Sequence, residues 1–404
     1  MKSLFKGVTK NRAFVILCVV GAFAILSSTL SKNPVLKPFA DSLGIPEHLL
    51  GFVAAASTIP GILFSLPAGT LSDIVGRRKI LLMSSFVFAS APFLYLLITS
   101  WRQLVLVRFY HGFATAIFIP VVNASIAERF PRKRGERISF FSSATIVGRT
   151  VAPFLGGFIL AITDYGYHTL YLTVAVAGIL AFMTAVLFLD GGKHYGAKTK
   201  NPAQTIPGIF NGWRKVAKNS GIAITSVIEG TQYYAFGAVE FFLVGYLKEV
   251  VRLDAFLIGI ILGGQLAVTA LARPFMGRLS DKIGRRLPIV LGSILSGFPL
   301  AVIPFTTQFP ILLLVSIMYG IGFSLVTSST PPLVSDLVEK DHLGTAMGFL
   351  STIMDVGQAL GPIIAGFVLA TTLTYYGVFT SLTVILLTSC FIFIISKTGV
   401  PDQQ

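Results

Sequence analysis

The sequence is short of charge, and shorter still of acid. Only 12% of its 404 residues are Asp, Glu, Lys or Arg, and 17 carboxylates stand against 32 lysines and arginines. An ordinary soluble domain is about 25% charged. With 54% hydrophobic residues and a mean hydropathy of +0.80, the chain is excluded from that class. Cysteine is almost missing: Cys18 and Cys390 fall in the first and last apolar runs, which excludes a disulfide framework and a thiolate metal centre and leaves two small buried hydrophobes. There is no cluster with metal-ligand spacing, no phosphate-binding glycine loop followed by Lys-Ser/Thr, and no nucleophile beside a base. The expectation is therefore no metal, no cofactor, no ATP-driven step and no enzymatic chemistry.

What the chain has in abundance is long apolar runs. They lie at 13 to 31, 49 to 71, 80 to 98, 103 to 126, 138 to 162 and 168 to 189, then at 221 to 247, 255 to 276, 288 to 306, 309 to 334, 345 to 370 and 374 to 396. Each is long enough to cross a bilayer as a helix of about 20 residues. The spacing predicts an all-α integral membrane protein of twelve spans, six plus six. Residues 1-190 would form one bundle, 191-220 a cytoplasmic linker and 221-404 the second bundle. The run after Lys2, Lys6, Lys10 and Arg12 resembles a signal peptide but continues to about Leu30, so it reads as an uncleaved first span. In the linker, Ile209, Phe210, Trp213 and Val216 recur at helical spacing beside cations, which fits either a helix on the inner leaflet or a plain tether.

The formal net charge of +15 invites a nucleic-acid reading, and the position of the charge decides against it. Most lysines and arginines fall in the segments that become cytoplasmic when both termini are inside. The excess is topological, and no basic stripe interleaved with exposed aromatics remains. The partners implied are a lipid bilayer, a small-molecule substrate and protons, for a monomer in a cell inner membrane.

The chain also repeats itself. Gly69-Thr70-Leu71-Ser72-Asp73-Ile74-Val75-Gly76-Arg77-Arg78 returns as Gly277-Arg278-Leu279-Ser280-Asp281-Lys282-Ile283-Gly284-Arg285-Arg286, each copy between two apolar runs. A topological turn explains the arginines but not the glycines and Leu-Ser-Asp at fixed offsets. A second pair, Gly148-Arg149-Thr150-Val151-Ala152-Pro153-Phe154-Leu155-Gly156-Gly157 and Gly357-Gln358-Ala359-Leu360-Gly361-Pro362-Ile363-Ile364-Ala365-Gly366, lies inside the fifth and eleventh runs. Its small residues suit close helix packing, and its prolines each remove a backbone hydrogen bond.

The first repeat resembles the loop between the second and third helices of the major facilitator superfamily, with its echo between the eighth and ninth. The second is similar to the Gly-Pro element of that superfamily's antiporters, though Ala152 replaces one glycine and Arg149 intrudes. Arg108 and Gly112 resemble the family's fourth-helix arginine element, with Gly320 at the repeat position. The resemblance implies two rocking six-helix bundles with a midplane site. It also implies inner-face charge networks of Asp73, Arg77, Arg78, Glu128 and Arg129 in one half and Asp281, Arg285, Arg286 and Asp336 in the other, and helix packing and bending at Gly148, Pro153, Gly156, Gly157, Gly357, Gly361 and Pro362.

Charges inside a bilayer cost a few kcal/mol on insertion scales, about 2.5 to 3.5 at the centre, so those retained are functional candidates. They are Arg108, His111, Arg149, Glu229, Glu240, Arg273 and Asp355, with Lys32 near the outer end of the first span. Glu229, Asp355, Arg108 and His111 are the proton-coupling candidates. Arg149, Glu229, Gln232, Tyr233, Gln265, Asn123, Glu240 and Asp355 are the substrate-binding candidates. Arg149 fits either a bidentate counter-ion for an anionic group or an internal ion pair with Asp355 or Glu229. Arg108 fits either coupling or snorkelling to the outer interface. Glu240 reads as a residue of the outer mouth, and Arg273 as an anchor for the inner end of its span.

Together these features read as a proton-coupled exporter of a small amphipathic organic compound working by alternating access. The first run contains no carboxylate, which favours a neutral, zwitterionic or anionic substrate over a purely cationic one. A carrier for an organic anion, sugar or lipid headgroup that uses Arg149 as counter-ion is the alternative. A receptor on the same fold that has lost transport is the reading from another class.

Overall fold

A computed structural model describes residues 2–64, 72, 75–130, 134–189, 218–338 and 343–396. The linker helix or tether and Asp73 lie outside the described residues.

Within the described residues, each apolar run is mostly helix. We label the long helices α1 (Lys2–Leu30), α2 (Glu47–Ala55), α3 (Arg77–Tyr95), α4 (Trp101–Arg129), α5 (Arg134–Ile162), α6 (Tyr167–Phe188), α7 (Ser220–Gly245), α8 (Ala255–Ile283), α9 (Arg286–Val302), α10 (Phe309–Asp336), α11 (Leu343–Leu369) and α12 (Thr374–Ile395). After a turn at 56–58, helix resumes at 59–64. Pro60 accounts for that turn, because it has no N–H for the carbonyl of Ala56 and its ring crowds that carbonyl. A short buried helix, Leu36–Ser42, follows α1.

Ten helices among the described residues are long and apolar enough to cross a membrane. Two fall below that measure for readable reasons. Arg77, Arg78 and Lys79 open α3, and α7 carries Glu229, Gln232 and Glu240 among its apolar residues. Polarity concentrated in an otherwise buried helix marks α7 as the place to look for a site.

Helix starts follow local chemistry. Ser100 and Gln103 form a capping box at α4, Asn219 Oδ1 accepts from the backbone N–H groups of Gly221 and Ile222 at α7, and the Asp254 side chain accepts from that of Leu257 at α8. Gly76 and Gly284, one in each copy of the repeated motif, have φ of 101° and 86°. An L side chain rarely adopts such a backbone, so the repeated glycine sets the turn into the next helix.

The contacts divide the chain into two units, Met1–Gly44 with Ala56–Thr199 and Ile45–Ala55 with Lys200–Gln404. In the first, α1 packs along α5 and α6, and α3 along α4 and α6. Its core joins Phe14, Leu17, Phe88, Phe118, Val121, Phe141 and Ala181. In the second, α7 packs along α11 and α12, and α9 along α10 and α12, which is the same arrangement one repeat later. The α2 segment lies against α11 in this second unit.

Candidate functional site

The second unit buries a set of polar side chains whose hydrogens are fewer than their acceptors. Glu229, 3% exposed on α7, accepts from Thr330 Oγ1 of α10 at 2.5 Å. That hydroxyl also lies 3.1 Å from the Val326 carbonyl, and it has one proton for the two. One turn along α7, Gln232 donates from Nε2 to Ser293 Oγ at 3.5 Å, while Ser293 itself donates to the Ile289 carbonyl at 2.8 Å. The Oε1 of Gln232 is buried and meets no donor among the described residues. A fully enclosed carboxyl group with a single neutral hydrogen-bond donor is well suited to hold a proton, because burial penalises the charged form.

An aromatic cluster adjoins it. Phe323 of α10 stacks on Phe236 with centroids 4.8 Å apart and meets Tyr233 edge-on at 5.2 Å, and Tyr319 lies at 6.4 Å. Gln265 on α8 is buried with its Oε1 unpartnered among the described residues. Glu240, also on α7, is 8% exposed. Asp355, half-buried on α11, makes no hydrogen bond or ion pair among the described residues.

In the first unit, Arg108 is 1% exposed and donates from Nη2 to Ser57 Oγ at 2.6 Å. It does not snorkel to the outer interface. His111, one turn on, sits with Nδ1 3.3 Å from Ser31 Oγ, and Ser31 donates to the Ser28 carbonyl. Ser31 has one hydroxyl hydrogen for the Ser28 carbonyl and His111 Nδ1, and His111 Nε2 is buried with no partner among the described residues. The rings of Tyr95 and Tyr171 stack 4.4 Å apart beside this group. Asn123 is half-buried and its Oδ1 has no partner among the described residues.

Arg149 is exposed on α5 and forms no ion pair among the described residues. Its helix has two exposed faces. Phe140, Val147, Val151, Phe158 and Ile162 form an apolar stripe. Arg149 stands about 160° around the helix from Val147, on the side of exposed Ser142. Arg149 thus occupies the polar face. Arg273 is exposed on α8, and its backbone carbonyl accepts from Ser328 at 3.4 Å.

The two halves build corresponding charge networks among the described residues. In the first, Arg77 pairs with Glu128 at 2.5 Å and donates to Ser72 at 3.0 Å. In the second, Arg285 pairs with Asp281, with Asp336 at 3.3 Å, and donates to Ser280 at 3.4 Å. Arg78 and Arg286 bond backbone carbonyls. Arg78 donates to the Leu189 carbonyl at 2.7 Å, and Arg286 to the carbonyls of Ile394 and Ser396 at 2.6 and 2.8 Å. Each therefore serves the carbonyl end of the last helix of its half, where backbone acceptors are unsatisfied. Arg129 lies in the last turn of α4.

With this geometry in place, the Major Facilitator Superfamily profile matches residues 13–248 and 222–403. The chain belongs to the major facilitator superfamily. It is thus a multi-pass membrane transporter and not an enzyme, of a family whose members bind small molecules and are typically monomeric. It is 27% identical over 376 residues to the multi-drug resistance efflux pump PmrA of Streptococcus pneumoniae, covering 92% of each chain. It is 25% identical over 337 residues to the quinolone resistance protein NorA of Staphylococcus aureus, covering 82% of this chain and 84% of NorA. A bacterial homolog of the human lysosomal transporter Spinster superposes with a TM-score of 0.79 at 15% identity, covering 96% and 97% of the two chains.

The superfamily's Gly-Pro element lets equivalent helices approach closely in both halves. A Cβ on Gly357 or Gly361 would stand 2.1 Å from the Gly230 carbonyl or 2.0 Å from that of Tyr234, so these glycines let α11 touch the backbone of α7. In α5, Gly148 approaches the Ala22 carbonyl of α1 and Gly156 meets Pro34, while Ala152 is tolerated where the second half has glycine. Pro153 and Pro362 lie inside unbroken helices. Sequence reasoning missed Thr330, Ser57 and Ser293. Hydroxyls in membrane helices are common because they bond their own helix, so none carried a signal.

Proposed function

We propose that this superfamily member is a proton-coupled exporter of small amphipathic organic compounds that works by alternating access, in a cell inner membrane with both termini cytoplasmic. The observation that carries the reading is the enclosed carboxyl group of Glu229 on its single hydroxyl donor, Thr330. A proton bound there neutralises the charge while the site is closed, and opening to water releases it. The ring cluster of Tyr233, Phe236, Tyr319 and Phe323, with Gln232 and Gln265 of the same unit, supplies apolar and amide surface for an amphipathic ligand. Asp355 is the second proton carrier and Glu240 a further acidic group of the second unit, while Arg108 and His111 are the coupling candidates of the first unit. The resemblance to PmrA and NorA, named for multi-drug and quinolone resistance, supports export.

In the same reading, 1-190 and 221-404 are the rocking halves joined by the linker. The networks of Asp73, Arg77, Glu128, Arg129 and of Asp281, Arg285, Asp336 latch the inner ends in one state. Flux driven by an imposed pH gradient, and lost in Glu229→Gln, tests the proposal.

One observation favours a second reading. Arg149 on the polar face of α5, without an ion pair among the described residues, suits a carrier whose substrate brings an anionic group. Ligand binding that depends on Arg149 but not on Glu229 separates the two.

A further inference from the structure

Four helices of the first unit bring polar side chains to one buried place, where α1 and α3 end and α4 and α6 begin. Ser31 follows α1, Tyr95 closes α3, Arg108 and His111 stand one turn apart on α4, and Tyr171 lies in the second turn of α6. None of these side chains is more than 3% exposed. The rings of Tyr95 and Tyr171 stack 4.4 Å apart, and the Tyr95 and His111 centroids are 6.0 Å apart. Phe88 and Phe39 wall the group, meeting His111 and Tyr171 edge-on. The Arg108 guanidinium acts electrostatically on His111 and on both tyrosines.

This place is rich in hydrogens. The Tyr95 and Tyr171 hydroxyls and His111 Nε2 are buried and have no hydrogen-bond partner among the described residues. Each tyrosine brings an O–H, the neutral imidazole one N–H and the guanidinium five, one of them aimed at Ser57 Oγ. The acceptors these side chains offer in return are hydroxyl oxygens and a single ring nitrogen. A water molecule among them supplies lone pairs but adds two hydrogens, so the excess persists. An anion supplies acceptors alone. Charge points the same way. Arg108 lies in a half whose apolar runs contain no Asp or Glu, and Asp41, on the short helix after α1, accepts from Lys37 at 2.7 Å. A guanidinium enclosed in protein favours a negative charge beside it.

We propose that the cluster of Arg108, Tyr95 and Tyr171 binds a small inorganic anion, chloride under ordinary conditions. The anion accepts from the two tyrosine hydroxyls beside the guanidinium and ties the ends of α3, α4 and α6 together. A single cation balances one negative charge, and the enclosure by Phe39 and Phe88 favours a bare halide over a large organic anion. The site belongs to the first unit, so it stands or falls independently of the Glu229 reading.

The experiment measures thermal unfolding of the purified full chain in chloride or bromide against gluconate, with the same cation and ionic strength, and locates bromide by anomalous scattering in crystals of the unaltered protein. The expected result is a saturable, halide-specific rise in the midpoint and a bromide peak between the tyrosine hydroxyls and Arg108. Tyr95→Phe with Tyr171→Phe, which keeps the ring stack, should weaken the apparent halide affinity by about 10-fold or more. A halide response that the tyrosine variant retains in full places the ion elsewhere and overturns the proposal. Equal midpoints in halide and gluconate, with no bromide peak at the cluster, mean that the hydroxyls meet only water, and the proposal falls.

Discussion

Thr330 Oγ1 stands 2.5 Å from Glu229 Oε2, joining α10 to α7 across the buried interior of the second unit. A carboxylate in that position lacks the solvation that water would give it, and one neutral donor replaces only part of it. The pair is costly to keep as charge and inexpensive to keep as acid. Glu229→Gln, which preserves shape and hydrogen bonding without a charge, should therefore leave the thermal midpoint unchanged or raise it. Thr330→Val should lower stability by about 1–3 kcal/mol by leaving the carboxyl without its donor. Thermal unfolding of the two variants in detergent checks both signs.

The small-residue contact between α7 and α11 predicts a contrast among glycines. Gly361→Leu forces a side chain against the Tyr234 backbone and should cost about 1–3 kcal/mol or more. Gly277, in α8, has open space where a Cβ would go. Gly277→Ala should be neutral or stabilise by up to about 1 kcal/mol through helix propensity. Equal losses in the two variants would contradict the packing account.

The paired inner networks predict an effect on transport without one on stability. Arg77–Glu128 and Arg285–Asp336 are partly exposed pairs, and such pairs are worth about 0–1 kcal/mol. Arg285→Ala should shift the melting temperature little and reduce flux several-fold. Exchanging Arg77 and Glu128 should restore part of the flux lost in either single reversal. Unaltered flux in every single variant would remove the latch role.

Arg149 predicts a ligand response. Since it is exposed and without an ion pair among the described residues, Arg149→Ala should change intrinsic stability by less than about 0.5 kcal/mol. An organic anion at 100 times its dissociation constant stabilises by about 2.7 kcal/mol if it binds. A thermal shift with anionic compounds that disappears in Arg149→Ala supports the anion-carrier reading. A shift that persists assigns the binding elsewhere.

The spans were legible in the sequence because a bilayer demands uninterrupted apolar runs, and the repeated motif because its glycines, serine and arginines do the same job twice. Gly76 and Gly284 share a positive φ, and Arg77 and Arg285 bind the serine five residues back in each half. The site was only half legible. An isolated Glu229 in an apolar run announces itself, whereas Thr330 is one of many hydroxyls in α10 and its partner lies 101 positions away. Burial also depends on neighbours that spacing along one helix does not specify, which is why the near-complete burial of Glu240 and Arg108 is not legible in the sequence.

The central claim is that Glu229 carries the proton that drives transport. Purified protein in liposomes, given a fluorescent amphipathic substrate and an imposed pH gradient, tests it directly. The account predicts substrate accumulation that follows the size and sign of the gradient and falls at least ~10-fold in Glu229→Gln, while substrate exchange without a gradient survives. Gradient-driven accumulation of equal size in wild type and Glu229→Gln would contradict it.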